Sequence, residues 1–192
     1  DITAGDTSEA TVDPSSIRLT FTPLNWNIPQ TVIINSEDDL LIDGDQWSVI
    51  TVSVDPSSDP YFVDESSQEV NVITTDNDVA GISLVATDNL TSEDGDEGYI
   101  SVTLTSPPSE DVTISFVSSN ENEGYTDESV VFSSSNWDIP QTIRIDGVDD
   151  IVPITDGAIE YLVNITSIFT DDPNYKVILP SEITPISMTN QD

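Results

Sequence analysis

Asn25-Trp26-Asn27-Ile28-Pro29-Gln30-Thr31 returns 111 positions later as Asn136-Trp137-Asp138-Ile139-Pro140-Gln141-Thr142. The match runs on: from 25–39 to 136–150, nine of fifteen residues are identical, ending on Asp38-Asp39 and Asp149-Asp150. Asp43-Gly44 then matches Asp156-Gly157, Asp59-Pro60 matches Asp172-Pro173, and Thr75-Asp76-Asn77-Asp78 matches Thr189-Asn190-Gln191-Asp192. Self-similarity at one long spacing means a module present twice.

The two copies differ in completeness. Asp1 aligns with Val112, so the first copy has no counterpart of 79–111, a stretch with two apolar-alternating segments. The division predicted is an incomplete module at 1–78, lacking its N-terminal strands, and a complete one at 79–192. Local patterns are those of strands. Residues 16–21, 31–34, 47–54, 68–73, 99–104, 112–116, 142–145 and 159–165 alternate, or run apolar in β-branched residues, between Asp-Gly, Pro-Ser-Ser and Pro-Pro clusters. Ile143 and Ile145 are expected to face a core, with Thr142, Arg144 and Asp146 facing water. One-sided burial of this kind suits antiparallel sheets packed in two layers. The fold expected is all-β: two tandem antiparallel, immunoglobulin-like β-sandwich modules.

Composition narrows the chemistry. The 192 residues hold 37 Asp+Glu against 3 Lys+Arg, with neither His nor Cys, for a net charge of -34. No thiol or imidazole nucleophile, Ser-His-Asp triad, tetrahedral zinc site or disulfide framework can be built. Three cations do not make a phosphate-binding surface, so nucleic acid is excluded as a partner. No apolar run is long enough to span a membrane. The acids divide as 16 in 1–78 and 21 in 79–192, so the charge belongs to the module. Carboxylates at this density repel one another, and divalent cations are the natural counter-charge.

The aspartates sit where strands end. Asp38-Asp39 and Asp149-Asp150 each follow an apolar strand, Asp76-Asn77-Asp78 and Asn190-Gln191-Asp192 close the copies, and an acidic turn spans 91–98. Alternate strand ends of a sandwich gather at one pole, and calcium takes six to eight oxygens from such loops. Solvated turns are the plainer alternative, since Asp and Gly favour turns regardless. Repetition at matching positions favours Ca2+.

The complete module resembles the Calx-beta domain, and more closely the Calx-beta-like repeats of large bacterial surface and adhesin proteins. The residues carrying the resemblance are Val79-Ala80-Gly81-Ile82, the Thr91-Ser92-Glu93 turn, the segment 132–142 around Trp137, and Gly147-Val148-Asp149-Asp150. In the first part they are Phe21-Thr22-Pro23 through Thr31, Asp38-Asp39, Asp43-Gly44-Asp45 and Asp76-Asn77-Asp78. The resemblance implies a seven-stranded sandwich binding Ca2+ at one pole, with ligands at Glu93, Asp149, Asp150 and Asp192. In the first part it implies Asp38, Asp39, Asp76 and Asp78; that part has no counterpart of the Glu93 turn.

The function expected is structural: a mature piece of a long extracellular or cell-surface protein, adhesin or fibre, whose tandem sandwiches are stiffened by calcium. Neighbouring repeats are its partners, or copies of the same chain if strand complementation fills the first module. A glycan-binding module using Trp26, Trp137, Tyr61 or Tyr175 is the second class. A carboxylate-pair glycosidase is the third, and the expectation is that the chain is not an enzyme.

Overall fold

The computed structural model describes residues 1–149 and 157–191. Fourteen strands and one 3-10 turn (Pro180–Glu182) account for the regular structure, and no α-helix occurs among the described residues. The chain divides into two compact units, the first formed by Asp1–Asp39 and Asp43–Asn77, the second by Leu40–Ile42 and Asp78–Asp192.

The first unit has β1 (Ile2–Ala4), β2 (Ala10–Val12), β3 (Ile34–Ser36), β4 (Gln46–Val52) and β5 (Gln68–Thr74). They form a three-stranded sheet β1-β4-β5 and a two-stranded ribbon β2-β3. The second unit has β6 (Ile82–Asp88), β7 (Leu90–Ser92), β8 (Glu97–Leu104), β9 (Val112–Ser118), β10 (Gly124–Tyr125), β11 (Ser129–Phe132), β12 (Gln141–Gly147), β13 (Ile159–Phe169) and β14 (Ile186–Gln191). These make a sandwich of a four-stranded sheet β10-β12-β8-β6 and a five-stranded sheet β11-β9-β13-β14-β7.

Period-two alternation builds the second core. Ile100, Val102 and Leu104 of β8 and Ile143 and Ile145 of β12 point inward from one sheet, and Val112, Ile114, Phe116, Val163 and Met188 from the other. One pair departs from the antiparallel expectation: β7 runs parallel to β14. The cause is local. The chain passes from β6 to β7 across Asn89 without reversing, so β7 continues the direction of β6 in the opposite sheet. The Asn89 carbonyl accepts from the Thr189 amide at 2.9 Å, and the Asp88 carboxylate accepts from the Leu90 amide at 3.1 Å.

The repeated Asn-Trp-x-Ile-Pro-Gln-Thr sequence is a turn held by two amides. Asn136 Nδ2 and Gln141 Nε2 both donate to the Val131 carbonyl, at 3.3 and 2.7 Å, while Asn136 Oδ1 accepts from the Ser133 amide at 2.6 Å. In the first unit Asn25 and Gln30 donate to the Thr20 carbonyl at 3.2 and 3.0 Å in the same way. The motif is therefore kept for its turn.

Register shows which strands correspond. Ala10 pairs with Ser36, and Gly124 with Gly147. Because Ser36 and Gly147 are 111 apart, Ala10 matches Gly124 at a displacement of 114, and the matching of Asp1 to Val112 is corrected by three residues. The first copy carries the extra residues in its Asp13-Pro14-Ser15 turn. Likewise β5 on β4 and β14 on β13 place Thr74 opposite Gln46 and Asn190 opposite Ile159. Strands β4 and β13 share one burial pattern from their first residues, so Asp76, not Asp78, is the counterpart of Asp192.

The first unit has no strands equivalent to β6, β7 and β8. Two expected strands change as a result. Residues 16–21 form no strand, because β11 pairs with the first half of β9 and the short β1 has no such half. Residues 31–33 stay irregular, because in β12 the same positions are held by β8. The core is open accordingly: Phe132 is 0% exposed and its counterpart Phe21 55%, Tyr175 0% and its counterpart Phe62 59%. Each large apolar side chain left in water forgoes about 1.5–3 kcal/mol of burial.

Candidate metal centre

One pole of the second unit is assembled from three separated segments: the turn after β7, the end of β12 and the end of β14. A Cβ on Gly147 would lie 2.2 Å from the Ser92 carbonyl oxygen, so glycine is what lets β12 and β7 touch. The Glu93 amide donates to the Gln191 carbonyl at 2.9 Å. Asn190 Nδ2 donates to the Val148 carbonyl at 3.0 Å and to Glu123 Oε2 at 3.3 Å, while its Oδ1 accepts from the Thr91 hydroxyl at 2.9 Å. With the Thr91 proton directed there, the Tyr161 hydroxyl, 3.0 Å away, donates to Thr91. Burial raises the Tyr161 phenol above its ordinary value, which keeps that proton in place.

This network brings Glu93 and Asp149 to the same pole, with Glu93 half-buried and Asp149 exposed. Asp150 and Asp192 lie outside the described residues. Asn190 is buried, and its amide is used in tying the three segments together.

Glu123 is the residue that sequence comparison missed. Its side chain is buried beneath this pole, and its carbonyl accepts from the Val148 amide at 3.1 Å. The first unit repeats the arrangement with Glu9, whose carbonyl accepts from the Glu37 amide at 2.9 Å. A comparison fixed at 111 sets Glu9 against Asn120; allowing the three-residue gap aligns the two glutamates.

At the first unit's pole, Asp76 Oδ2 accepts from the Gly44 amide at 2.7 Å, Asp45 Oδ1 accepts from the Asp76 amide at 3.1 Å, and the Thr74 hydroxyl donates to the Glu9 carbonyl at 2.8 Å. Burial, and then the charges of Asp43, Asp39, Asp6 and Asp76, push the Glu9 carboxyl above its ordinary value. Asp39 and Asp76 therefore share a field with Glu9, Asp43 and Asp6. Asp38 is exposed beside them, and Asp78 falls in the second unit. The oxygen-only donor set suits a hard cation. Among the described residues, no three acidic side chains stand close enough together to hold one ion.

A raised carboxyl stabilises the fold when protonated, so its contribution is present below the unfolded value near pH ~4 and is lost as pH rises through the higher folded value. Glu9→Gln is accordingly expected to raise the melting temperature of the calcium-free first unit at pH 7 and to blunt its gain in stability on mild acidification. Thermal melts in chelator at pH 7 and pH 5 check this; a lower melting temperature at pH 7 would mean the carboxylate makes a net favourable contact.

The aromatic candidates separate clearly. Tyr175 is fully buried with its hydroxyl donating to the Ser106 carbonyl at 2.6 Å, so it cannot stack on a sugar, while Trp137 is half-buried with part of its surface packed against the core. Trp26 and Tyr61 are exposed. The three cations are all paired: Arg18 with Asp1 and Asp55, Arg144 with Glu97 and Asp146, Lys176 with Asp171. No helix among the described residues is long and apolar enough to cross a membrane.

No family model matches the sequence, and no curated protein matches it. Among solved structures the chain is similar to "Crystal structure of CBD12 from CALX1.2", with a TM-score of 0.37 and 14% identity over 84% of this chain and 73% of that one.

Proposed function

We propose that this chain is a calcium-binding structural segment of an extracellular surface, adhesin or fibre protein, in which tandem β-sandwiches are stiffened by Ca2+ at their poles. The observation that carries the reading is the repeated pole: in both units a glutamate matched by register, Glu9 or Glu123, lies beneath the loop that leads to an Asp pair. In the second unit Glu93, Glu123, Asp149, Asp150 and Asp192 would hold the ion. In the first, Asp39, Asp43 and Asp76, which share one field with Glu9, would have to draw together around the ion, since no three of them stand close enough to hold it without movement. The ion would supply counter-charge to carboxylates that otherwise repel, and would tie the ends of separate strands. Neighbouring repeats or copies of the chain are the partners proposed, and no catalytic role is assigned.

Thermal unfolding followed by circular dichroism, in millimolar Ca2+ and in chelator at matched ionic strength, tests the reading. Ligand bound only by the native state stabilises by RT ln(1 + [L]/Kd), about 4 kcal/mol at a thousandfold excess over Kd. A calcium-specific rise in melting temperature is expected, and Glu123→Gln should remove most of the second unit's share. Equal melts in calcium, chelator and added sodium chloride would overturn the proposal.

A further inference from the structure

The sheet β1-β4-β5 has a core side and an outer side, and the second unit gives the matching residue for each position on β4 and β5. Ser48 and Ile50 of β4 are buried, so alternation sends Trp47 and Val49 to the outer side. There Trp47 stands opposite Ile73, Val49 opposite Asn71 and Thr51 opposite Glu69. Trp47 is 64% exposed and Ile73 47%. Strands absent from the first unit do not account for this. In the second unit, which has β6, β7 and β8, the matching residues Glu160, Leu162 and Ser187 are exposed too. The face is an outer one in both units.

Its chemistry is what differs. The second unit puts an acid in the middle, Glu160 opposite Thr189, with Ala158 and Pro185 at the two ends. The first unit puts Trp47 and Ile73 in the middle and an exposed acid at each end, Asp45 and Glu69. None of the chain's three cations pairs with either acid. Six residues of strand separate Asp45 from Thr51, the partner of Glu69, which sets the two carboxylates about 20 Å apart. An exposed indole bracketed in this way is complementary to a segment with two basic side chains around apolar ones. The carboxylates pair the cations at the rim, a guanidinium lies over the indole, and apolar side chains cover Trp47 and Ile73. A second copy fits worse, because like faces would oppose their carboxylates in a chain of net charge -34.

We propose that the outer face of β4 and β5, centred on Trp47 and Ile73, is a docking surface for a cationic, apolar polypeptide segment, with Asp45 and Glu69 as its charged rim. The surface is independent of the calcium reading, since no ion takes part in the contact.

The test uses the full 192-residue chain in chelator and, as probe, the end-blocked peptide Gly-Arg-Ser-Leu-Ser-Leu-Ser-Arg-Gly, whose arginines match the spacing of the two acids. Saturable binding is expected, with backbone NMR shifts concentrated at 45–51 and 69–75. Trp47→Glu, which installs the second unit's residue, should weaken binding by about tenfold or more. Ile73→Thr, made on the same principle, is the second variant should the first disturb folding by circular dichroism. Asp45→Asn with Glu69→Gln should weaken binding at low salt and flatten its dependence on sodium chloride. A probe with both leucines replaced by serine should bind about tenfold more weakly or worse. Affinity unchanged in folded Trp47→Glu and Ile73→Thr, or shifts spread over the acidic surface of both units, would mean general attraction to a polyanion and overturn the proposal. Absence of binding to the folded chain would overturn it too. Self-association that Trp47→Glu abolishes and that excludes the probe would make a second copy the occupant and equally overturn it.

Discussion

Gly147→Ala should destabilise the second unit by about 2–3 kcal/mol and weaken its response to calcium. The new methyl would sit 2.2 Å from the Ser92 carbonyl oxygen and 2.8 Å from its nitrogen, and the obstacle is backbone, which cannot rotate away. Forcing a methyl into such a contact costs about 1–3 kcal/mol, with the strain spread over β7. The turn bearing Glu93 would be pushed from the end of β12, separating it from Asp149. Urea unfolding of the second unit, with and without calcium, measures both effects. Ser36→Ala provides the comparison: the same place in the first unit has no β7 above it, and a change within about 0.5 kcal/mol is expected. Equal effects at the two positions would mean that the β7–β12 approach is not what makes Gly147 necessary.

Asp172→Ala should cost a comparable amount, about 2–3 kcal/mol, by removing the shared acceptor of four donors, of which the Tyr175 amide is fully buried. Its Oδ2 accepts from the Ser109 amide and hydroxyl at 2.7 and 2.8 Å, and its Oδ1 from the Asn174 and Tyr175 amides at 2.7 and 2.9 Å. These bonds pin the β9 approach to the turn that carries Tyr175, whose ring fills the core. Burial alone would raise this carboxyl, but the donors from Tyr175, Ser109 and Asn174 outweigh it and hold the group below its ordinary value. A lowered carboxyl stabilises above its unfolded value near pH ~4, and that contribution is lost as pH falls through the lower folded value. The variant should therefore flatten the acid limb of the second unit's stability curve between pH ~4 and ~2. Asp172→Asn keeps one acceptor oxygen and should lose less. Calorimetric melts from pH 7 to 2 distinguish the outcomes; an acid limb unchanged in Asp172→Ala would place the acid sensitivity in other carboxylates.

These sites differ in how legible they were. The inward residues of β8, β9 and β12 could be read directly, because alternation in a strand with one buried face fixes side-chain direction by itself. Asp172 was visible as half of a repeated Asp-Pro pair, yet the same pair at Asp59-Pro60 lies on the surface. There Asp59 Oδ1 accepts only the Tyr61 amide, at 2.9 Å, of the donors described. The local turn is the same in both copies. What differs is whether a second sheet lies over it, which no local pattern encodes.

Glu9 and Glu123 were obscured by a three-residue difference in one turn, and the role of Asn190 could not be read locally because it is a set of hydrogen bonds to residues 42 to 99 positions away. Strand periodicity, the duplication and the acidic loops depend on neighbouring residues and on composition, so they stand in the sequence itself. Strand pairing across long separations decides the rest. It sets the parallel β7–β14 pair, the approach of Ser92 to Gly147, the placing of Glu9 and Glu123 at the two poles, and the failure of 16–21 and 31–33 to form strands. A strand needs a partner for its backbone groups and a cover for its apolar face, and only the tertiary structure shows where one is missing.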